Sequence, residues 1–310
     1  MAEPRILVTG ATGFVGPHVV AALAQSGYRL RLAQRRPAPA LAHIDAETVL
    51  VGDMAGPVDW SAALRDVDHV VHMAGLAHAG PGLDEALYRR INTEATLDLA
   101  RAAQQAGIRR FVYLSSVKAL TGAFDGPPLA EDAIPAPDDA YGRSKLAAER
   151  GLAALDLDWV SLRPVLIYGP GVKANMAALL RLARLPVPLP FGGLQAPRSL
   201  LAVENLASAI RFALEDACPS RQCCLLADPE PISVAGMIAA LRAGLGRGPG
   251  LLPVPEGWLR ALARLAGREE TFVKLAGSLV ARPQRLLSSG WRPPVETEAA
   301  LARLSSARAG

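Results

Sequence analysis

The sequence predicts an α/β fold: a doubly wound parallel sheet followed by a smaller, interrupted C-terminal lobe. Three observations carry this. In the first half of the 310 residues, short apolar runs alternate with amphipathic ones. That alternation demands crossover connections and a mostly parallel sheet covered on both faces. A glycine-rich turn joins the first apolar run to the first amphipathic run. From residue 164 onward, Pro164, Pro170, Pro186, Pro188, Pro190 and Pro197 interrupt the pattern. The division expected is therefore 1–163 for a nucleotide-binding domain and 164–310 for the lobe, with some lobe segments returning to the sheet.

Taken in order, residues 6–9 are a strand and 14–25 a helix stopped by Gly27. Strands are expected at 29–34, 48–51 and 69–73. Residues 84–105 have helical spacing throughout and end at Gly107. Another strand spans 110–115. A helix spans 139–155, with Asp138 or Asp139 as its cap. The strand at 159–162 closes the regular half. Beyond it, 203–214, 232–245 and 258–265 read as helices and 223–226 as a strand. Residues 246–255 are a Gly/Pro loop, and the tail 299–310 is expected to fray.

Composition removes several classes. Hydrophobic residues make up 51% of the chain, too many for a disordered one. The 28 glycines and 25 prolines show no three-residue period, which excludes a collagen. The net charge of +4 comes mostly from scattered arginines, and aromatics are only 5%. A nucleic-acid groove needs clustered cations interleaved with stacking rings. No apolar run is long enough to span a bilayer. Met1 leads at once into a strand, so no secretory leader is expected. Cys218, Cys223 and Cys224 form no C-x-x-C pair and leave one over, which points to a reducing, cytoplasmic setting. His72 and His78 lack a carboxylate or thiol at ligand spacing, so no metal site is expected.

Four motifs carry chemistry. Thr9-Gly10-Ala11-Thr12-Gly13-Phe14-Val15-Gly16 places a Gly-x-x-Gly-x-x-Gly turn between first strand and first helix. There glycine permits close approach to a pyrophosphate, which sits on the helix N-terminus. At the end of the second strand stand Arg35 and Arg36, and no Asp or Glu occurs between Pro17 and Ile44. An NAD site ordinarily carries an acid here for the ribose hydroxyl. Guanidinium groups suit a 2′-phosphate instead, which favours NADP over NAD. Tyr141 and Lys145 share one helix face. A cation near the phenol pulls tyrosine down from about 10 toward working pH, giving a general acid/base. Ser115 and Ser116 end the strand at 110–115, where a parallel sheet opens onto its ligand crevice.

On these residues the chain resembles the extended short-chain dehydrogenase/reductases, the nucleotide-sugar epimerase/dehydratase family. The likeness continues through Leu162-Arg163-Pro164, Tyr168-Gly169-Pro170-Gly171 and Gly290-Trp291-Arg292-Pro293-Pro294. The runs 114–118, 188–192 and 198–200 are similar to a bacterial subgroup of UDP-glucose 4-epimerase-like proteins and a UDP-N-acetylquinovosamine-forming 4-keto reductase. The resemblance implies a Rossmann fold, an NAD(P) cofactor, a UDP-sugar substrate and a homodimer. It also implies roles. Gly10, Gly13 and Gly16 would hold the pyrophosphate, Asp53 would meet the adenine, and Ala74 and Gly75 would line the path to the nicotinamide. Thr12, Phe14, Val15, Met54, Ser115 and Pro164 would also contact the cofactor. Ser116 would bond the sugar C4 oxygen, Tyr141 would move its proton, and Lys145 would hold the nicotinamide ribose. Asn92, Asn175 and Arg198 would contact the sugar nucleotide.

The chain departs from that pattern at the missing second-strand acid and at Ala119-Leu120-Thr121-Gly122, which replaces a common Val-Tyr-Gly. Two alternatives therefore stand beside hydride transfer at C4 of a UDP-hexose. One is reduction or oxidation of a steroid- or flavonoid-like ketone or alcohol. The other is a non-catalytic NADP-binding redox sensor, although such relatives usually lack the tyrosine and lysine kept here.

Overall fold

A computed structural model describes residues 3–77, 84–122, 126–172 and 174–307. Its strands are β1 (Arg5–Thr9), β2 (Arg29–Gln34), β3 (Glu47–Leu50), β4 (His69–His72), β5 (Arg110–Leu114), β6 (Trp159–Pro164), β7 (Leu166–Tyr168), β8 (Leu200–Ala202) and β9 (Gln222–Leu226). Seven form one parallel sheet in the order β3-β2-β1-β4-β5-β6-β9. The expected doubly wound sheet is present. The other two strands, β7 and β8, pair as a separate parallel ribbon.

The helices are α1 (Gly16–Gln25), α2 (Ser61–Leu64), α3 (Glu85–Tyr88), α4 (Ala95–Gln105), α5 (Ala140–Ala153), α6 (Ala174–Arg184), α7 (Val203–Ala213), α8 (Val234–Gly244), α9 (Glu256–Leu265), α10 (Glu269–Ala276), α11 (Gln284–Ser288) and α12 (Thr297–Ser306). Strand alternation shows why the sheet is covered twice. Ile6 and Val8 enter the core that contains Val19, Val20 and Leu23 of α1 with Leu206 and Ile210 of α7. Leu7 between them enters the opposite core, with Leu99 and Ala103 of α4 and Leu152 of α5. A third core gathers α6, α8, α9 and α12 around Leu200 and Ala202 of β8.

Strand order reverses between β1 and β4, which neighbour each other yet lead outward in opposite directions. Such a switch point leaves a crevice beyond the carboxyl ends of the strands. Its walls here are Thr9-Gly10 on one side and Met73-Ala74-Gly75 on the other.

Three expectations are corrected. The run 84–105 is not one helix. A π-helical turn, Arg89–Glu94, separates α3 from α4. Hydrophobic spacing cannot show one extra residue in a turn when the apolar face resumes beyond it. Residues 164–197 are not merely broken, because α6 lies between Pro170 and Pro186 and contains no proline. Met176, Leu179, Leu180 and Ala183 give it a buried stripe at i, i+3, i+4 and i+7. The tail does not fray through Ser306. α12 lays Ala300, Leu301 and Leu304 against α8, and a side chain at Gly244 would collide with the Ala302 carbonyl. His78 lies outside the described residues.

Leu301 is fully buried between α12 and α8. Leu301→Ala is expected to cost about 3 kcal/mol of unfolding free energy, from lost burial and the cavity left behind. Urea denaturation with an unchanged slope measures it; a loss below about 1 kcal/mol would place α12 outside the cooperative core.

Candidate active site

The glycine turn is built by exclusion of side chains. Gly10 has φ +75°, and a Cβ there would lie 2.6 Å from the Ala74 nitrogen. A Cβ at Gly16 would lie 2.3 Å from the Ala11 carbonyl oxygen. Gly13 closes the turn with its N–H on the Gly10 carbonyl at 3.1 Å. α1 then begins with no side-chain cap at Val15 and with Pro17 in its first turn. Its first N–H groups are therefore left for a ligand, the arrangement that binds phosphates. Thr12 is exposed at the tip, and Phe14 packs edge-on to His18, whose Nε2 is 3.1 Å from the Pro170 carbonyl. The turn thus faces the C-terminal lobe.

Asp139 caps α5, accepting the Gly142 N–H at 2.6 Å. Gly142 permits the contact that matters most. A Cβ there would lie 2.3 Å from the Lys118 carbonyl oxygen. The tyrosine helix can therefore seat on the turn Val117–Ala119 that follows Ser116. Ser116 accepts the Lys118 N–H at 3.1 Å, and its hydroxyl lies close enough to the Tyr141 phenol to favour the phenolate.

Lys145 is buried. Its Nζ donates to the Leu114 carbonyl at 2.9 Å and sits 4.7 Å from the centre of the Tyr113 ring. Burial brings its ammonium down to about 8, partly opposed by the nearby Glu149 carboxylate. One turn further along α5, Glu149 takes Arg163 in a two-pronged pair at 3.0 and 2.7 Å and accepts Ser161 at 3.0 Å. Gly75 faces this group, for a Cβ there would lie 3.3 Å from Lys145 Nζ and 3.0 Å from Asn92 Oδ1.

The expected lowering of Tyr141 is overturned. Burial pushes its phenol up to about 12, the nearby Ser116 hydroxyl only partly offsetting this, and the Asp139 charge pushes further in the same direction. Lys145 spends its charge on Leu114 and the Tyr113 ring instead. Tyr88, which sequence reasoning missed, places its ring 6.2 Å from that of Tyr141.

Other expected residues fall as follows. Asn92 is fully buried on the π-helical turn. Its Oδ1 accepts the Leu76 N–H at 2.7 Å, and its Nδ2 donates to Leu76 O and Ser144 Oγ, both at 3.0 Å. It braces the site from beneath. Arg35 and Asp53 are brought together, with Nη1 3.7 Å from Oδ2, both exposed; Arg36 is exposed beside them. Met54 packs on the α4 side of the sheet. Ser115 and Pro164 end β5 and β6, buried. The Arg198 main chain pairs with Ile232, and its guanidinium donates to the Gly277 carbonyl. Asn175 lies in the first turn of α6, but its side chain is outside the described residues.

Two buried polar atoms at the crevice end of the sheet have no hydrogen-bond partner among the described residues. They are Ser115 Oγ and Gln34 Oε1, the latter where the second-strand acid would stand. Together with the glycine turn, they fit a hydroxyl-rich dinucleotide. Among the described residues no group of three or more His, Cys, Asp or Glu is arranged to hold a metal, and no helix is long and apolar enough to cross a membrane.

A glycine turn at a topological switch, in one crevice with Ser116, Tyr141 and Lys145, defines a dinucleotide-dependent enzyme of the extended short-chain dehydrogenase/reductase class. Comparison makes this specific. The model of the NAD dependent epimerase/dehydratase family matches residues 6–222, and the chain belongs to that family. A UDP-glucose 4-epimerase of Vibrio cholerae is 35% identical over 302 residues, 93% of this chain and 90% of its own. A 3-diazoavenalumate denitrifying reductase of Streptomyces is 31% identical over 93% of this chain and 96% of its own. The solved structure of MoeE5 in complex with UDP-glucose and NAD superposes with a TM-score of 0.72 at 26% identity, covering 98% of this chain and 99% of that one.

The Lys145 environment has a measurable signature. An unfolded lysine keeps its proton to about 10, whereas this one gives it up near 8 when folded. Between those values the unfolded lysine holds more protons, so its contribution to stability should rise with pH. Lys145 is expected to add a rising contribution to the urea midpoint between about pH 8 and 10, against the falling one from the Cys218, Cys223 and Cys224 thiols, which burial pushes up. Lys145→Met should therefore fall more steeply than the native protein over that range. Equal profiles for the two proteins would show that Lys145 is not desolvated.

Proposed function

We propose that the chain transfers a hydride at C4 of a UDP-hexose, as a 4-keto reductase or 4-epimerase, with Tyr141 as the proton donor and acceptor. The observation that carries this is the placement of Ser116 beside the Tyr141 phenol, one helix turn from Lys145, which reaches the Gly75 wall of the crevice. A bound nicotinamide supplies the hydride acceptor or donor. Gly10, Gly13 and Gly16 hold the pyrophosphate, and Lys145 with Gly75 marks the nicotinamide ribose end. Ser116 orients the C4 oxygen by hydrogen bonding, and Tyr141 gives that oxygen its proton or takes it away.

Burial keeps the Tyr141 proton in place through the neutral range. That state suits an acid and supports the reducing direction. The residues at the end of β2 support the same direction. Arg35 and Arg36 offer charge to a 2′-phosphate, and Gln34 brings no repelling carboxylate. NADP is therefore the proposed cofactor, with NAD the alternative, since the similar MoeE5 structure holds NAD. The sugar nucleotide is proposed from the Vibrio relative and from UDP-glucose in MoeE5. One observation favours a second reading: the Streptomyces reductase matches over as much of the chain and is named for a substrate that is not a sugar nucleotide.

Two experiments test this. Tyr141→Phe should lose turnover of a UDP-4-keto-hexose or UDP-hexose by about a hundredfold or more while keeping dinucleotide affinity. Unchanged turnover would remove Tyr141 from the chemistry, and no UDP-hexose turnover by the native protein would favour the second reading. Denaturing the purified protein should release no tightly held NAD. The empty protein should then bind NADPH more tightly than NADH, and Arg35→Ala should cut that preference by about tenfold. Stoichiometric NAD in the supernatant would reverse the cofactor assignment.

A further inference from the structure

Behind the crevice wall runs a chain of buried hydrogen bonds centred on His72. Ala74 N donates to Thr9 Oγ1 at 3.2 Å. Thr9 Oγ1 lies 2.7 Å from His72 Nδ1, and His72 Nε2 lies 2.9 Å from Thr96 Oγ1. Thr96 Oγ1 donates to the Asn92 carbonyl at 2.8 Å. From there the Asn92 amide reaches Ser144 Oγ, which donates to the Tyr141 carbonyl at 2.7 Å. Thr9, His72, Thr96 and Asn92 are each at most 1% exposed.

Donor accounting sets the direction of the chain. The Asn92 carbonyl can only accept, so Thr96 spends its hydroxyl proton there. Thr96 oxygen then accepts from His72, which requires the proton on Nε2. His72 Nδ1 is left as an acceptor, Thr9 donates to it, and Thr9 oxygen stays free to receive Ala74 N–H. Every donor along the chain is satisfied. With the proton on Nδ1 instead, the Thr9 hydroxyl would have no acceptor among the described residues. The ring stacks on Tyr113 at 5.8 Å and has the Lys145 ammonium nearby. Both burial and that charge hold the imidazole neutral, at about 3.

We propose that His72 is a positioning residue which, as the Nε2–H tautomer, ties the Ala74-Gly75 wall of the crevice to the π-helical turn carrying Asn92. It thereby sets the spacing between the glycine turn and the Ser116–Tyr141–Lys145 set. The functional part rests on the dinucleotide reading given above; the tautomer does not. The π-helical turn is part of the device, because it presents the Asn92 carbonyl to side-chain donors. π-Helical turns of this kind recur at functional sites.

The test has two arms. In the first, ¹⁵N NMR of the His72 ring in the native, cofactor-free protein should show protonated Nε2, bare Nδ1 and no titration between about pH 5 and 8. A protonated Nδ1, or a midpoint within that range, overturns the proposal without any variant. In the second, Thr96→Val deletes the hydroxyl at nearly constant shape, and Thr96→Ser keeps it. Thr96→Val should weaken dinucleotide binding by about tenfold, the order of one buried hydrogen bond, and Thr96→Ser should restore it to within about twofold. Equal dissociation constants for native, Val and Ser proteins would overturn the positioning role. A native protein that binds no dinucleotide would instead overturn both the dinucleotide reading and the positioning role built on it, while the NMR arm would still decide the tautomer.

Discussion

At Gly10, where the chain leaves β1 beside the end of β4, there is no room for a side chain. The Ala74 nitrogen occupies the place where a Cβ on Gly10 would go. This contact of backbone with backbone fixes the mouth of the crevice, and much of the site is referred to it. It aims α1 at the crevice. It puts Gly75 beside Lys145 and Asn92. It makes the Thr9 hydroxyl the nearest acceptor for Ala74 N–H and so draws His72 into the wall. A packed side chain could fill such a gap with apolar surface, but it could not leave the α1 amides open to a ligand.

Beneath the crevice the protein tolerates charge where most proteins place hydrocarbon. Lys145, Glu149 and Arg163 are all buried, on one face of α5 and the adjoining end of β6. A buried ion pair gains little net stability, because desolvation offsets the attraction. Glu149 instead gives two neighbours a fixed counter-charge. Arg163 is held two-pronged, and Lys145 keeps more of its proton than burial alone would allow. The cost falls on the folded state, and the return is a lysine whose position does not depend on solvent.

Much of this architecture was legible in the residues. Strand alternation and the glycine spacing are local patterns with a single physical reading each, and the Tyr141/Lys145 spacing puts both residues on one helix face. The sheet and the dinucleotide turn followed from them. What escaped was set by contacts between distant segments. Gly142 reads as a weak point in a helix until the Lys118 carbonyl is found against it. Asn92 reads as a ligand contact until its amide is seen spent on Leu76 and Ser144. The Tyr141 phenol moves opposite to the sequence argument, because spacing showed that a cation was near but not that it was occupied elsewhere. α12 reads as a fraying tail until Gly244 of α8 is found against its Ala302 carbonyl.

The π-helical turn at Arg89–Glu94 has a consequence for how this chain can change. It holds one residue more than an ordinary helix would need, and that irregularity is held in place by its surroundings. Removing any single residue there would leave a straighter and intrinsically better helix. The helix on either side would keep its face, because the wide turn absorbs the extra residue. Asn92 lies within the turn, so its carbonyl and amide would leave the crevice wall. The most regular version of this helix is thus one deletion away, and drift toward it is checked by the site it would dismantle rather than by the stability of the helix itself.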